Sequence, residues 1–240
     1  MTTSNAPVSR EQWLAARRAL LKEEKALTLR LDALAEKRRA LPPVEITAPY
    51  AFNEDGRALA LRDLFGGRSQ LLVYHFMYGP DWEEGCPSCS FWADGFDGMD
   101  VHLAARDIAF VVVSAAPWAT LDAYRKRMGW RFRWVSSAGS TFNRDFGVSF
   151  SGEEIASGNA DYNFAKKGFP STEAPGASAF LCDGDRVLHT YSCYGRGLDI
   201  LNGTYQWMDL APRGRNEQDL PWPMARLRRR DQYGASQPAD

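Results

Sequence analysis

Cys86 and Cys89, separated by Pro87 and Ser88, are the residues whose types and spacing best suit chemistry. A thiolate at Cys86 can attack a disulfide, and Cys89, one helical turn later on the same face, can resolve the mixed disulfide. Pro87 fits the first turn of a helix, where its missing N–H costs nothing. Cys86 is then expected at the helix N-terminus, where free amides favour the thiolate. Asp81, Glu83 and Glu84 precede the pair and could accept the Cys89 proton during resolution, although the same charges oppose ionisation of Cys86. Arg196, just after the last expected strand, is a candidate to stabilise that thiolate, with a surface salt bridge as the alternative. The candidate catalytic set is Cys86, Cys89, Glu83, Asp81 and Arg196. A zinc site would need two further ligands, but Cys182 and Cys193 are no second close pair and no HxxxH spacing occurs, so neither metal nor cofactor is expected. His75 alternates with Val73 and Met77 along an apolar run and reads as a hydrogen-bonded core histidine, while His102 and His189 read as structural.

The chain as a whole narrows the partners. Its 240 residues carry 29 basic against 30 acidic side chains, too balanced a charge to grip nucleic acid or an acidic membrane. The first residues lack an apolar signal-peptide core and the apolar runs are too short to cross a bilayer, so a soluble cytoplasmic protein is expected. In a reducing compartment four cysteines do not form a disulfide framework. The expected partners are a protein or small-molecule disulfide, or a peroxide, together with a thiol electron donor whose identity the sequence leaves open.

The elements that must position the cysteines follow from periodicity. Residues 1–43 are expected to be an amphipathic helical extension: Ser9 with Gln12 forms a capping box, and Trp13, Leu20, Leu27, Leu34 and Leu41 recur every seven residues. Arg17, Glu24 and Arg38 occupy the second heptad core position, which favours a helix packed on its own domain over a homodimer arm. Residues 44–211 alternate short apolar runs with helical stretches, and residues 212–240 form a tail whose arginines read as solvated or dimer-contacting. The alternation predicts an α/β sheet of about five strands with helices on both faces. "SQLLVYHFMY" is a buried strand, and Cys86 falls just beyond its C-terminal end, the usual place for a site in an open α/β sheet. A polar, glycine-rich stretch at 151–176 reads as an inserted loop that covers a site. A last hairpin turning at Gly184-Asp185 sets Cys182 opposite Val187 and Cys193 opposite Gly176. Those two thiols are then about 20 Å apart and cannot bridge, which leaves Cys193 as a candidate auxiliary thiol.

The hairpin "FNEDGRALALRDL", the strand "LLVYHF", the CxxC, the strand "FVVVSA" and the hairpin "FLCDGDRVLHTYS" resemble the thioredoxin-like fold of peroxiredoxin type. "YGPDWEEGCPSCSFWAD", "HTYSCYGRGLD", "YQWMDLAPRGRNE" and "PWPMARLRRRDQY" more closely resemble the bacterial domain-of-unknown-function 899 family, grouped with thioredoxin-like proteins. The resemblance implies that fold and a redox role for the cysteines. Asp81, Trp82, Cys86 and Pro87 keep the register of a peroxidatic motif, but Pro80 is displaced by one position and Glu83 stands where that motif has a hydroxyl residue. A dithiol couple needs only the two sulfurs, although thioredoxins carry a cis-proline where this sequence has Ala177, with Pro175 two residues earlier. Three readings stand: a thiol-disulfide oxidoreductase, a thiol peroxidase, and a non-catalytic binding module of the same fold.

Overall fold

A capping box opens the first element. In the computed structural model, which describes residues 6–166 and 168–234, helix α1 spans Arg10–Arg39. Ser9 Oγ accepts the Gln12 N–H at 3.2 Å, and Gln12 Oε1 accepts the Ser9 N–H at 3.0 Å. Lys37, Arg38 and Arg39 complement the helix dipole in the last turn. No residue of α1 is buried, and Trp13, Leu20, Leu27 and Leu34 are exposed. Arg17 and Glu24 pair with each other at 2.8 Å, so the apolar stripe is a single column flanked by charge. The chain divides into two compact units, Met1–Pro42 and Pro43–Asp240.

In the second unit the elements run in the order β1 (Val44–Glu45), β2 (Ala51–Glu54), β3 (Arg57–Ala60), a 3-10 turn (Leu61–Phe65) and β4 (Gln70–His75). They continue with α2 (Pro87–Ala93), α3 (Met99–Ala104), β5 (Ile108–Ser114), α4 (Trp118–Met128), β6 (Trp134–Ser136) and α5 (Phe142–Asp145). Then come α6 (Gly152–Ala156), β7 (Asp161–Tyr162), β8 (Ala165–Lys166), β9 (Gly176–Asp183), β10 (Arg186–Tyr194), a 3-10 segment (Gly195–Leu201) and α7 (Gly203–Leu210). The main sheet has eight strands in the order β1-β10-β9-β4-β5-β6-β2-β3, with β4, β5 and β6 parallel and β9 antiparallel to both of its neighbours, β4 and β10. This is the thioredoxin-like mixed sheet, wider than the five or so strands expected. The additions are edges with little signal of their own: β1 pairs two residues with β10, and the β2–β3 hairpin joins through Asn53 and Ser136 alone. The crossover from β4 to β5 carries two helices, α2 and α3, and α3 opens at Gly98, whose φ of 87° only glycine adopts readily.

Alternation along β4 builds one core on each face. Leu71 and Val73, with Val111, Val113 and Phe180, pack against the Leu61–Phe65 turn and Phe142 of α5. Tyr74 and Phe76, with Val112 and Trp134, pack against α2 and α4 through Trp92, Leu121 and Tyr124. Each large side chain so buried is worth about 1.5–3 kcal/mol. A polar chain crosses the first face: His75 Nε2 lies 2.8 Å from Ser178 Oγ, Ser178 lies 2.8 Å from Ser192 Oγ, and His189 Nε2 lies 2.7 Å from Ser192 Oγ. His75 is the core histidine expected, and burial lowers its pKa to about 3.

The last hairpin turns where predicted, with Cys182 opposite Val187. A β-bulge between His189 and Tyr191 then leaves Thr190 unpaired and shifts the register, so Cys193 faces Ala177 rather than Gly176. The segment 151–176 is more than the expected loop: it carries α6 and the β7–β8 hairpin, and Tyr162 and Ala174 join Val148, Phe150 and Tyr194 in a cluster of their own.

Glu173 ties that segment down. Its carboxylate accepts the Ser149 hydroxyl at 2.8 Å while 5% exposed, and burial pushes its pKa from 4.5 up to about 7. Below about pH 4.5 the carboxyl is protonated in both the folded and the unfolded chain and its contribution is fully present. As pH rises towards 7 the unfolded chain ionises first, so stability falls, by about 3 kcal/mol in all. Glu173→Gln should flatten this fall in chemical-denaturation midpoints measured between about pH 4.5 and pH 7.5. An unchanged slope would mean that the folded chain holds Glu173 ionised.

Candidate active site

Beyond β4 the backbone loops out and returns to the strand end. Phe76 N–H donates to Val113 O at 2.9 Å, and the loop closes where Cys86 N–H donates to Met77 O at 3.1 Å. Cys86 is the N-cap of α2 with Pro87 next to it, as the motif predicts, and Ser90 donates its N–H (2.9 Å) and Oγ–H (2.8 Å) to the Cys86 carbonyl. Gly85 leaves no room for a side chain, because a Cβ there would lie 2.8 Å from the Phe76 ring and 2.9 Å from that of Tyr124.

The loop is braced from the far end of the chain. Arg229 donates to the Gly85 carbonyl at 2.6 and 3.0 Å, to the Tyr124 hydroxyl at 3.0 Å, and pairs with Glu84 at 2.6 Å. Arg127 also holds Glu84 and reaches Asp231 at 2.7 Å. The arginine-rich tail, expected to be solvated or dimer-contacting, here grips the segment that presents Cys86.

The two thiols differ sharply in ionisation. Cys86 is half-buried, and its pKa falls from 9.0 to about 7, first through a hydrogen bond from the Cys89 thiol. Burial opposes this shift, and the N–H groups of Cys89 and Ser88 and the Ser88 hydroxyl add to it. Cys89 is 1% exposed, and burial together with its hydrogen bond to Cys86 pushes its thiol well above 9.0. The Met77 N–H, at 3.4 Å, and the Tyr74 hydroxyl both donate to the Cys89 sulfur. At neutral pH the geometry favours one thiolate and one thiol.

The other sequence candidates lie elsewhere. Asp81 and Glu83 are exposed; Glu83 contributes its carbonyl, which accepts the Tyr78 hydroxyl at 3.0 Å. The third carboxylate, Glu84, is held below its usual pKa by Arg127 and Arg229. Of the three acids, Glu84 is the one paired with guanidinium groups, those of Arg127 and Arg229. Arg196 is exposed and pairs with Asp199 at 3.1 Å instead of meeting Cys86. The residues that sequence reasoning missed are Ser88, Tyr74 and Arg229. Ser88 was visible inside the motif, Tyr74 shares the strand face of Phe76, and Arg229 gave no signal from 144 positions away.

A cavity of about 820 Å³ opens against Cys89. Cys89 and Ser88 form part of one wall, with Tyr74, Met77, Trp92 and Met224 around them and Pro175 beside them. Its rim is charged: Asp199 pairs with both Arg196 and Arg215 at 3.1 Å, and Arg215 stacks on Tyr205 at 3.9 Å and is also held by Asp209 at 2.8 Å. Tyr205 in turn donates to Glu217 at 2.8 Å. Among the described residues no three His, Cys, Asp or Glu side chains converge on a metal position, and no helix is long and apolar enough to cross a membrane.

Solved structures similar to this chain include a cysteine-to-serine variant of peroxiredoxin Q from Xanthomonas campestris, 13% identical, spanning 70% of this chain and 98% of that one with a TM-score of 0.48. Peroxidoxin BcpB from Mycobacterium tuberculosis is 14% identical over 70% of this chain and 94% of that one, with a TM-score of 0.42. A hypothetical protein from Sinorhizobium meliloti is 16% identical over 70% and 84%, with a TM-score of 0.38. No curated protein matches the chain. Residues 2–233 match the family described as "Bacterial protein of unknown function (DUF899)", and the chain belongs to that family.

Proposed function

We propose that this protein is a thiol-disulfide oxidoreductase that cycles Cys86 and Cys89 between dithiol and disulfide. The observation that carries this reading is the placement of the two thiols: Cys86 is the half-buried N-cap of α2, and Cys89 follows one helical turn later, buried with the Met77 N–H on its sulfur at 3.4 Å. Cys86 thiolate attacks a substrate disulfide and expels one half as a thiolate. Cys89 then loses its proton, attacks Cys86 Sγ and releases the other half. The Tyr74 hydroxyl and the Met77 N–H stabilise negative charge on Cys89 at that moment.

A peroxidase reading gains support from Ser88, whose hydroxyl bonds to the Cys86 sulfur and so supplies the kind of donor that Glu83 does not. In that chemistry the Cys86 thiolate attacks one peroxide oxygen, the O–O bond breaks and the other oxygen leaves as hydroxide or alkoxide, giving a sulfenic acid; the Cys89 thiol then condenses with it to a disulfide and water. Assays of the full chain separate the two. Disulfide reduction lost in both Cys86→Ser and Cys89→Ser, with a trapped Cys86 adduct in the latter, supports the dithiol couple. Peroxide consumption that survives Cys89→Ser supports the peroxidase, and inactivity in both assays leaves a binding module.

A further inference from the structure

We propose, resting on the Cys86–Cys89 couple above, that the cavity against Cys89 receives the electron donor, a small thiol of tripeptide size bearing carboxylate and ammonium groups. Two independent features converge on it. The first is access: Cys89 and Ser88 help to wall the cavity and Cys86 does not, so a molecule in it approaches the disulfide from the Cys89 side, with Cys86 as the leaving sulfur. The second is leaving-group chemistry. A thiolate expelled from Cys86 is met by the N–H groups of Ser88 and Cys89 and by the Ser88 hydroxyl, whereas one expelled from Cys89 is buried. The sulfur with the lower pKa leaves faster, so reduction runs through attack on Cys89.

Size and charge define the donor class. About 820 Å³ lies within the range of sites that enclose a small organic molecule. The rim carries Arg196 and Arg215 together with Asp199, Asp209 and Glu217, so both signs of charge are at hand for a carboxylate and an ammonium group. The donor thiolate bonds to Cys89 Sγ, the Cys86–Cys89 bond breaks and its electron pair leaves on Cys86. A second donor thiolate attacks the donor sulfur of the mixed disulfide, giving the donor disulfide and a Cys89 thiolate that takes a proton from water. Two donor thiols thus deliver two electrons.

The experiment uses the full chain, oxidised and mapped by peptide mass spectrometry, with glutathione as probe and 2-mercaptoethanol for comparison. The expected result is a reduction rate that saturates with glutathione, and samples quenched in acid that carry glutathione on Cys89. Arg196→Ala, at a highly exposed position, should raise the half-saturating glutathione concentration about three- to tenfold, and Met224→Trp, which fills the cavity, should slow glutathione more than 2-mercaptoethanol. Glutathione on Cys86, or a rate linear in glutathione and insensitive to Arg196→Ala, overturns the donor site and leaves the couple standing. Failure to form the Cys86–Cys89 bridge at all overturns the couple, and the donor site with it.

Discussion

Cys86 is expected to react with iodoacetamide about tenfold faster at pH 6 than a thiol left at 9.0. A pKa near 7 gives about 100-fold more thiolate at that pH, while the weaker intrinsic nucleophilicity of a less basic sulfur returns about tenfold of the gain. Labelling followed by peptide mass spectrometry should rise with pH through a midpoint near 7 for Cys86, with Cys89 the slower of the two at every pH. The sign is that of a depressed acid: the reactive form is present above the midpoint and lost as pH falls through it. Because the Cys89 thiol is the largest cause of the shift, Cys89→Ala should move the Cys86 midpoint up towards 9.0. A midpoint that stays near 7 would assign the thiolate to Ser88 and the backbone amides instead.

Gly85→Ala is the substitution expected to damage both stability and reactivity. The added methyl group must displace the rings of Phe76 and Tyr124, and neither has room: Phe76 lies 4.7 Å from Trp134 and 6.0 Å from Trp130, and Tyr124 lies 5.6 Å from Trp130. Overpacking of this kind costs about 1–3 kcal/mol, or a lowering of Tm by about 2–4 °C for each kcal/mol at this chain length. Since Arg229 grips the Gly85 carbonyl, the backbone cannot yield without loosening the brace on Cys86. Thermal denaturation should show the drop, and the labelling midpoint of Cys86 should rise with it. Unchanged values for both would mean that the rings give way and that the loop does not depend on them.

What the sequence made legible is what local chemistry decides. The run Gln70–His75 alternates, Pro87 starts α2, and Gly129 at φ 66° stops α4 at Met128, so the position of Cys86 beyond a central strand could be read directly. The capping box likewise announced α1, but its heptads did not tell whether that stripe is covered. The brace from Arg229 and the cavity wall from Met224 arise from contacts between distant segments, and no local pattern encodes them. Of the carboxylates near the cysteines in sequence, Glu84 meets Arg127 and Arg229, partners that lie 43 or more positions away and leave no local pattern. The bulge at Thr190 was also unreadable, because a single unpaired residue changes the facing of every residue after it without altering composition.

That bulge, together with the serine and histidine chain it serves, gives the sheet a means of rejecting misassembly. His189 and Ser192 are three positions apart and would point to opposite faces of an unbroken strand; the extra residue returns them to one face, where they meet at 2.7 Å. A slip of β9 by one position would offer His75 an alanine in place of Ser178, and would strand both serine hydroxyls and a ring nitrogen among Phe142, Phe146 and Phe180. Each orphaned group costs about 1–3 kcal/mol, and three of them would consume much of the roughly 5–15 kcal/mol that keeps a domain folded. Tyr74, Ala177 and Cys193 lie in the same cross-strand row, so a chain that has passed this check has also aligned the strand that carries Tyr74 to the sulfur of Cys89.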